Sequence, residues 1–374
     1  MKSLLCGTFA ISFGCWLASA QTVASTQTPA SPETNAQWDA GKAASYLDGR
    51  IEWWMTWKSA ARDHDTFCVS CHTSAPYAIG RSSLHTALGE KAATVDERKV
   101  LDNITKRVRM WNEVAPFYPD SEKSPGKTPE SRGTESVLNA LILSWNDRPS
   151  GKLSPDAKLA FDNMWAEQLK TGDAKGAFGW LQFHNAPFEG DSQYYGAALA
   201  AVAVGYAPGD YKSTPAIQDN ILALREYLVR ERDSQKLVDK LVVLWASAGL
   251  PDLLTASQRR EIIAETISKQ QEDGGFSLSS LVGAWKRRDN TPLESRSDGY
   301  ATGLVAFTLR QAGVKPGDPA LERSLQWLKK NQEASDGRWL AYSLNKQRDL
   351  TSDPGRFMSD AATAYAVMAL DSPK

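Results

Sequence analysis

The chain has 374 residues, with 43 Lys and Arg balanced by 44 Asp and Glu. That balance, and the lack of any basic run, implies neither nucleic acid nor an anionic membrane surface as a partner, and no nucleic acid is expected. After the first twenty residues no stretch reaches the ~18 apolar residues that a membrane span requires, so no integral span is expected.

Residues 1–20 read as a secretory signal peptide. Lys2 precedes the apolar run from Leu4 to Leu17, and Ala18-Ser19-Ala20 supplies the small residues of a cleavage site. The mature protein is therefore expected in the periplasm or outside the cell. Residues 21–37 are rich in Ser, Thr, Pro, Ala and Gln, too polar to bury a core, and read as a disordered tether. Residues 38–374 are left for one domain. Of the four cysteines, Cys6 and Cys15 leave with the signal, so Cys68 and Cys71 are the pair that remains.

From Trp38 onward the apolar residues recur at helical spacing, and β-branched alternation is rare. Segments 38–60, 94–112, 155–170, 215–232, 255–271 and 318–332 mix charged and apolar residues, as helices with one wet face do. Between them lie 73–88, Thr134 to Trp145, Ser192 to Tyr206, Gln235 to Ala248, Ser297 to Ala312 and Ser359 to Leu370. Most of these are rich in Ala, Gly and large apolar residues, and most follow a Ser, Thr or Asp that suits an N-cap. Six outer helices alternating with six inner ones predict an all-α fold, an α/α toroid.

An internal repeat supports the layout. Lys269-Gln270-Gln271-Glu272-Asp273-Gly274-Gly275-Phe276 is echoed by Lys330-Asn331-Gln332-Glu333 with Asp336-Gly337-Arg338-Trp339, and more loosely by Gln168, Gly176 and Phe178-Gly179-Trp180. In these residues the chain resembles the squalene cyclase and prenyltransferase repeat superfamily, whose motif pairs a Gln with a downstream Gly and an aromatic residue. The resemblance spans Gln168 to Leu370 and implies the toroid, with the repeated residues tying outer helix ends together. It does not imply the activities: the Asp-x-Asp-Asp pattern of the cyclases is absent, and no cysteine stands where a prenyltransferase zinc site needs one.

Cys68-Val69-Ser70-Cys71-His72 carries the strongest chemical signal. Two cysteines three apart can meet the two vinyl groups of a porphyrin, and the adjacent histidine can reach its iron, so one covalent haem c on Cys68, Cys71 and His72 is expected. A local disulfide is the plainer alternative, and a zinc site would need two further ligands. The second axial position falls to His64, His85, His184 or a methionine, with His64 closest to the motif, or stays open. The stretch from Trp53 to Tyr77 resembles the start of bacterial cytochrome-like toroid proteins.

A second candidate site lies where inner helices begin. Trp180, Glu189, Asp191, Tyr194, Asp298 and Asp360 stand in the loops or first turns of separate inner helices, whose starts converge on one mouth in a toroid, and a mouth lined by carboxylates and aromatics suits a sugar or terpenoid. The competing reading is that Asp at such positions only caps helices. The leading functional expectation is a monohaem c-type electron carrier that docks a redox partner protein or a small-molecule ligand. The alternatives are a toroid enzyme, namely a lyase, hydrolase or haem oxidase acting on a small apolar or sugar-like substrate, and a haem-based sensor.

Overall fold

The computed structural model describes residues 37–190 and 193–371. The expected signal peptide and almost all of the expected tether lie outside these residues, as does Asp191. The described residues form one compact unit.

In chain order the unit comprises α1 (Ala40–Thr56), a two-stranded hairpin of β1 (Ala61–Arg62) and β2 (Thr66–Phe67), α2 (Ser74–Gly80), α3 (Val95–Arg109) and α4 (Lys127–Asp147). It continues through α5 (Pro155–Ala166), α6 (Tyr194–Tyr206), α7 (Gln218–Glu231), α8 (Leu237–Gly249) and α9 (Ala256–Ile267). The last three long helices are α10 (Gly299–Gln311), α11 (Pro319–Lys330) and α12 (Phe357–Asp371), and the rest are single turns. The even-numbered helices form a closed inner ring in which α2 touches α4, α4 touches α6, and so on to α12, which returns to α2. The odd-numbered helices lie outside it. This is the α/α toroid expected from the alternation of apolar and mixed segments.

Composition explains which helix goes where. Every residue of α6 from Tyr194 to Gly205 is buried, as a helix apolar on all sides must be. In α9 only Ile262 and Thr266 are buried. Small residues let the inner helices approach closely: Gly205 of α6 faces the backbone of Gly249 at the end of α8, where a Cβ would come within 2.9 Å.

The repeated Gln and Gly residues join successive outer helices. Gln168 Nε2 donates to the Gly176 carbonyl at 3.0 Å and to the Asn220 carbonyl, at the start of α7, at 2.9 Å. Gln270 does the same to Gly274 (2.9 Å) and to Ala320 of α11 (2.7 Å). Gln332 reaches Gly337 (2.8 Å) and Asp39, the N-cap of α1, at 2.9 Å, so the third copy fastens the last outer helix to the first. Gly176 has φ +96°, and a Cβ there would overlap the Ala223 carbonyl of α7.

The expected inner segment 73–88 is not one helix. α2 ends at Gly80, the chain tightens into a 3₁₀ turn at Arg81–Leu84, and a last turn runs His85–Leu88. Ser82 and Ser83 are weak helix formers, and the buried Arg81 is held from outside by Asp48 (2.9 Å) and Glu90 (2.7 Å). α4 starts seven residues earlier than expected, with Pro129 in its first turn, where a missing N–H costs little.

Candidate functional site

The hairpin delivers the chain into the ring. Cys68 N–H donates to the Ala60 carbonyl at 2.8 Å, and the Cys68 carbonyl accepts from Trp54 Nε1 at 2.7 Å. Ser70 then organises a turn, its hydroxyl accepting from the backbone N–H of Thr73 (3.2 Å) and Ser74 (3.1 Å), and α2 begins. This turn fixes His72 and Thr73 at the N-terminal end of the inner ring, against the first turn of α12.

Asp360 in that turn is wholly surrounded. Its Oδ1 accepts from Tyr46 Oη (2.8 Å) and Arg50 Nε (2.8 Å), and its Oδ2 accepts from Arg50 Nη2 (3.2 Å) and Thr73 Oγ1 (2.7 Å). Four donors fill the acceptor sites of an ionised carboxylate. Burial pushes the Asp360 carboxyl up, and the Arg50, Thr73 and Tyr46 donors oppose that shift. Because the single Thr73 hydroxyl hydrogen goes to Asp360, its oxygen must accept from His72 Nδ1, 2.9 Å away. His72 is thereby assigned the tautomer with hydrogen on Nδ1 and an unpaired lone pair on Nε2. Burial, reinforced by the charges of Arg50 and Arg348, lowers its pKa to about 3, so the ring is neutral.

His72 lines a cavity of about 160 Å³ together with Asn185, Phe188, Glu189, Ser343, Arg348, Pro354, Phe357 and Met358. Phe357, at the start of α12, stacks on the imidazole with centroids 3.9 Å apart, and Trp54 meets its edge at 5.2 Å. Glu189 stands in the loop before α6, where its backbone pairs with Asn185 and its carboxylate accepts from Asn185 Nδ2 at 3.2 Å. Burial raises the Glu189 carboxyl to about 7, outweighing the Asn185 hydrogen bond and the Lys127 charge. A carboxyl that titrates near neutrality can give a proton to a substrate oxygen, and a neutral imidazole Nε2 can accept a hydrogen bond. The site can therefore pair a proton donor with a fixed acceptor.

Among the other candidates, Trp180 is wholly buried and its Nε1 donates to the Phe188 carbonyl at 2.7 Å, so it braces the cavity wall from behind. Tyr194 points outward from the ring and donates to the Leu228 carbonyl at 2.9 Å. Asp298 caps α10, accepting from Ala301 N–H (2.9 Å) and Leu278 N–H (2.5 Å), and burial raises it to about 7. Of the six, Glu189 lines the cavity itself and Asp360 reaches it through Thr73. Thr73, Asn185, Arg348 and Phe357 carry no motif in the sequence and come together only because the ring closes α12 onto α2.

The haem c expected on Cys68, Cys71 and His72 does not fit this packing. Both thiols are free and buried in the core, and burial pushes Cys68 up to about 12 and Cys71 well above its usual value. One face of the His72 ring is covered by Phe357, and the space beside it is that of about five waters at ~30 Å³ each, far short of a porphyrin. His64, the expected second ligand, sits in the exposed hairpin turn with φ 52° and faces Asp63 at 3.7 Å. His85 is bonded to Glu97 (2.9 Å), and His184 to the Lys286 carbonyl (2.8 Å). The described residues hold no group of three or more His, Cys, Asp or Glu that could bind a metal ion. Nor is any described helix long and apolar enough to cross a membrane.

No family model matches the chain, and no curated protein does. Among solved structures, it is similar to the GH76A alpha-1,6-mannanase from Salegentibacter sp. HEL1_6, at 12% sequence identity over 89% of this chain and 99% of that chain, with a TM-score of 0.52. It is likewise similar to an inactive variant of that enzyme, with two consecutive aspartates replaced by asparagine, in complex with alpha-1,6-mannotriose, at 12% identity over the same shares and a TM-score of 0.53. At this identity the likeness shows the fold alone. The neighbours are glycoside hydrolases rather than cytochromes or squalene cyclases, and with the packing around His72 they correct the expectation of a haem-bearing electron carrier and of its redox partner. The chain is an α/α toroid with a small recessed cavity, lined by both polar and apolar side chains, at the N-terminal end of its inner ring.

Proposed function

We propose that this protein is a toroid hydrolase that cleaves a C–O bond in a small, sugar-like substrate seated between His72 and Glu189. One observation carries the reading: a carboxyl raised to about 7 lies on the wall of a recessed cavity that also holds a neutral, hydrogen-bonded imidazole. In the proposed reaction Glu189 protonates the leaving oxygen as its bond to carbon breaks, and a water attacks the same carbon. His72 Nε2 accepts a hydrogen bond from that water. With a pKa of about 3 it orients the water without keeping its proton, which passes to solvent, and Glu189 regains a proton from solvent.

The substrate class draws support from the mannotriose bound by the mannanase neighbour, an analogy of fold. The paired aspartates replaced in that variant have no counterpart here, since the chain contains no Asp-Asp pair, so mannan itself is not part of the proposal. The reaction is placed outside the cytoplasm on the strength of the signal peptide read at residues 1–20.

The test is to incubate the purified protein with aryl glycosides and short oligosaccharides and to measure new reducing ends. The expected result is turnover that falls about 100-fold or more in Glu189→Gln. No release from any member of the set, equal rates in the variant, or an unsaturated elimination product would each overturn the reading.

A further inference from the structure

The cavity contains a cation that the proposed hydrolysis does not use. Arg348 lies in the loop between α11 and α12, lines the cavity and is only partly exposed. Its guanidinium has no hydrogen bond or ion pair to any described residue. Arg50, by contrast, is satisfied by Asp360 and Asp353, and Arg287 by Glu294 and the Ser343 carbonyl. Glu189 does not neutralise Arg348: its carboxyl is held near 7 by burial and is influenced by Lys127 and Asn185. Burial also lowers the Arg348 pKa, the sign of a charge removed from water without an anion beside it.

A half-buried, unpaired guanidinium favours whatever carboxylate can enter, because a planar fork of donors matches a planar carboxylate and such charge-assisted bonds are among the stronger polar contacts. The remaining lining is suited to one sugar ring. Phe188 and Phe357 offer apolar faces, and Asn185, Ser343, Glu189 and His72 offer groups for hydroxyls. A cavity of about 160 Å³ leaves room for a single ring rather than an oligosaccharide, so any remaining units would extend outward.

We infer that the substrate ring bound in this cavity is a hexuronic acid, its carboxylate held by Arg348. The inference rests on the proposal that the cavity binds a sugar, and it adds the charge of that sugar.

The experiment is calorimetric titration of the full chain with glucuronate and with glucose, repeated for Arg348→Gln and Arg348→Lys. The readout is binding, so it does not depend on turnover. The expected result is glucuronate bound about tenfold or more tighter than glucose, a preference that is weakened by salt, lost in the Gln variant and partly kept in the Lys variant. The melting temperature should not change. Equal binding of the two sugars, or a preference that survives Arg348→Gln, would overturn the uronic acid assignment and leave the sugar reading standing. Binding of neither would overturn both.

Discussion

Thr73 Oγ1 donates to Asp360 Oδ2 at 2.7 Å, and this one bond decides which nitrogen of His72 carries hydrogen. The carboxylate is itself fixed by Arg50 and Tyr46 of α1, so the orientation of a cavity-lining imidazole is set by the contact that joins α1, α2 and α12.

Replacing Thr73 with Val keeps the shape and removes that relay. Asp360 then lacks one buried donor, with an expected loss of about 1–3 kcal/mol in stability. His72 loses its tautomer preference, and kcat is expected to fall about tenfold with a smaller change in KM. Long-range nitrogen–proton NMR on His72 reads the tautomer directly. A spectrum in which Nε2 already carries hydrogen in the unmodified protein would contradict the relay.

The ties between outer helices predict a stability effect remote from the cavity. Gly176→Ala puts a Cβ into the Ala223 carbonyl at a position with φ +96°, and about 3 kcal/mol of destabilisation is expected in chemical denaturation. Gly190→Ala, where a Cβ meets nothing within 4 Å, serves as the control and should change stability little.

The two cysteines should behave as buried thiols. Intact mass should equal that of the polypeptide alone, and a thiol reagent should label Cys68 and Cys71 only after denaturation, because burial raises both. Rapid labelling of the folded protein would mean that the segment is more open than this packing allows.

The raised Glu189 carboxyl also links stability to pH. Its folded value of about 7 exceeds the ordinary 4.5, so the folded state holds this proton more tightly than the unfolded state does. Below about 4.5 both states are protonated and the group makes no difference. As pH rises from about 4.5 to about 7 its contribution falls, and above that the burial of a charged carboxylate costs its full amount. Denaturation midpoints at the two ends of this window, compared between the wild type and Glu189→Gln, should show a smaller decline in the variant, because the raised Asp298 remains in both and only the Glu189 part is removed.

Much of the fold was legible in the sequence because burial writes itself into composition. The Ala- and Gly-rich segments are the inner ring, the mixed segments are the outer one, and Gln168, Gln270 and Gln332 mark the joints between outer helices. The break after Gly80 was not legible, since it depends on Arg81 finding Asp48 and Glu90. The cavity was legible only in pieces. Glu189 and Asp360 stand out as carboxylates before or within inner helices, but nothing local announces that Thr73 will bridge Asp360 to His72 across 287 positions. The Cys-x-x-Cys-His spacing points to haem because spacing alone cannot report that Phe357 covers the imidazole. Arg348 is one arginine among many until the ring leaves it without a partner.

The most direct test of the proposed chemistry is kcat/KM for one cleaved glycoside between roughly pH 5 and pH 9, measured on the wild type and on Glu189→Gln. A proton-donating Glu189 predicts a wild-type profile that falls as pH rises through about 7, and a variant about 100-fold slower with that limb gone. A variant that keeps both the rate and the descending limb would show that the acid lies elsewhere and contradict the account.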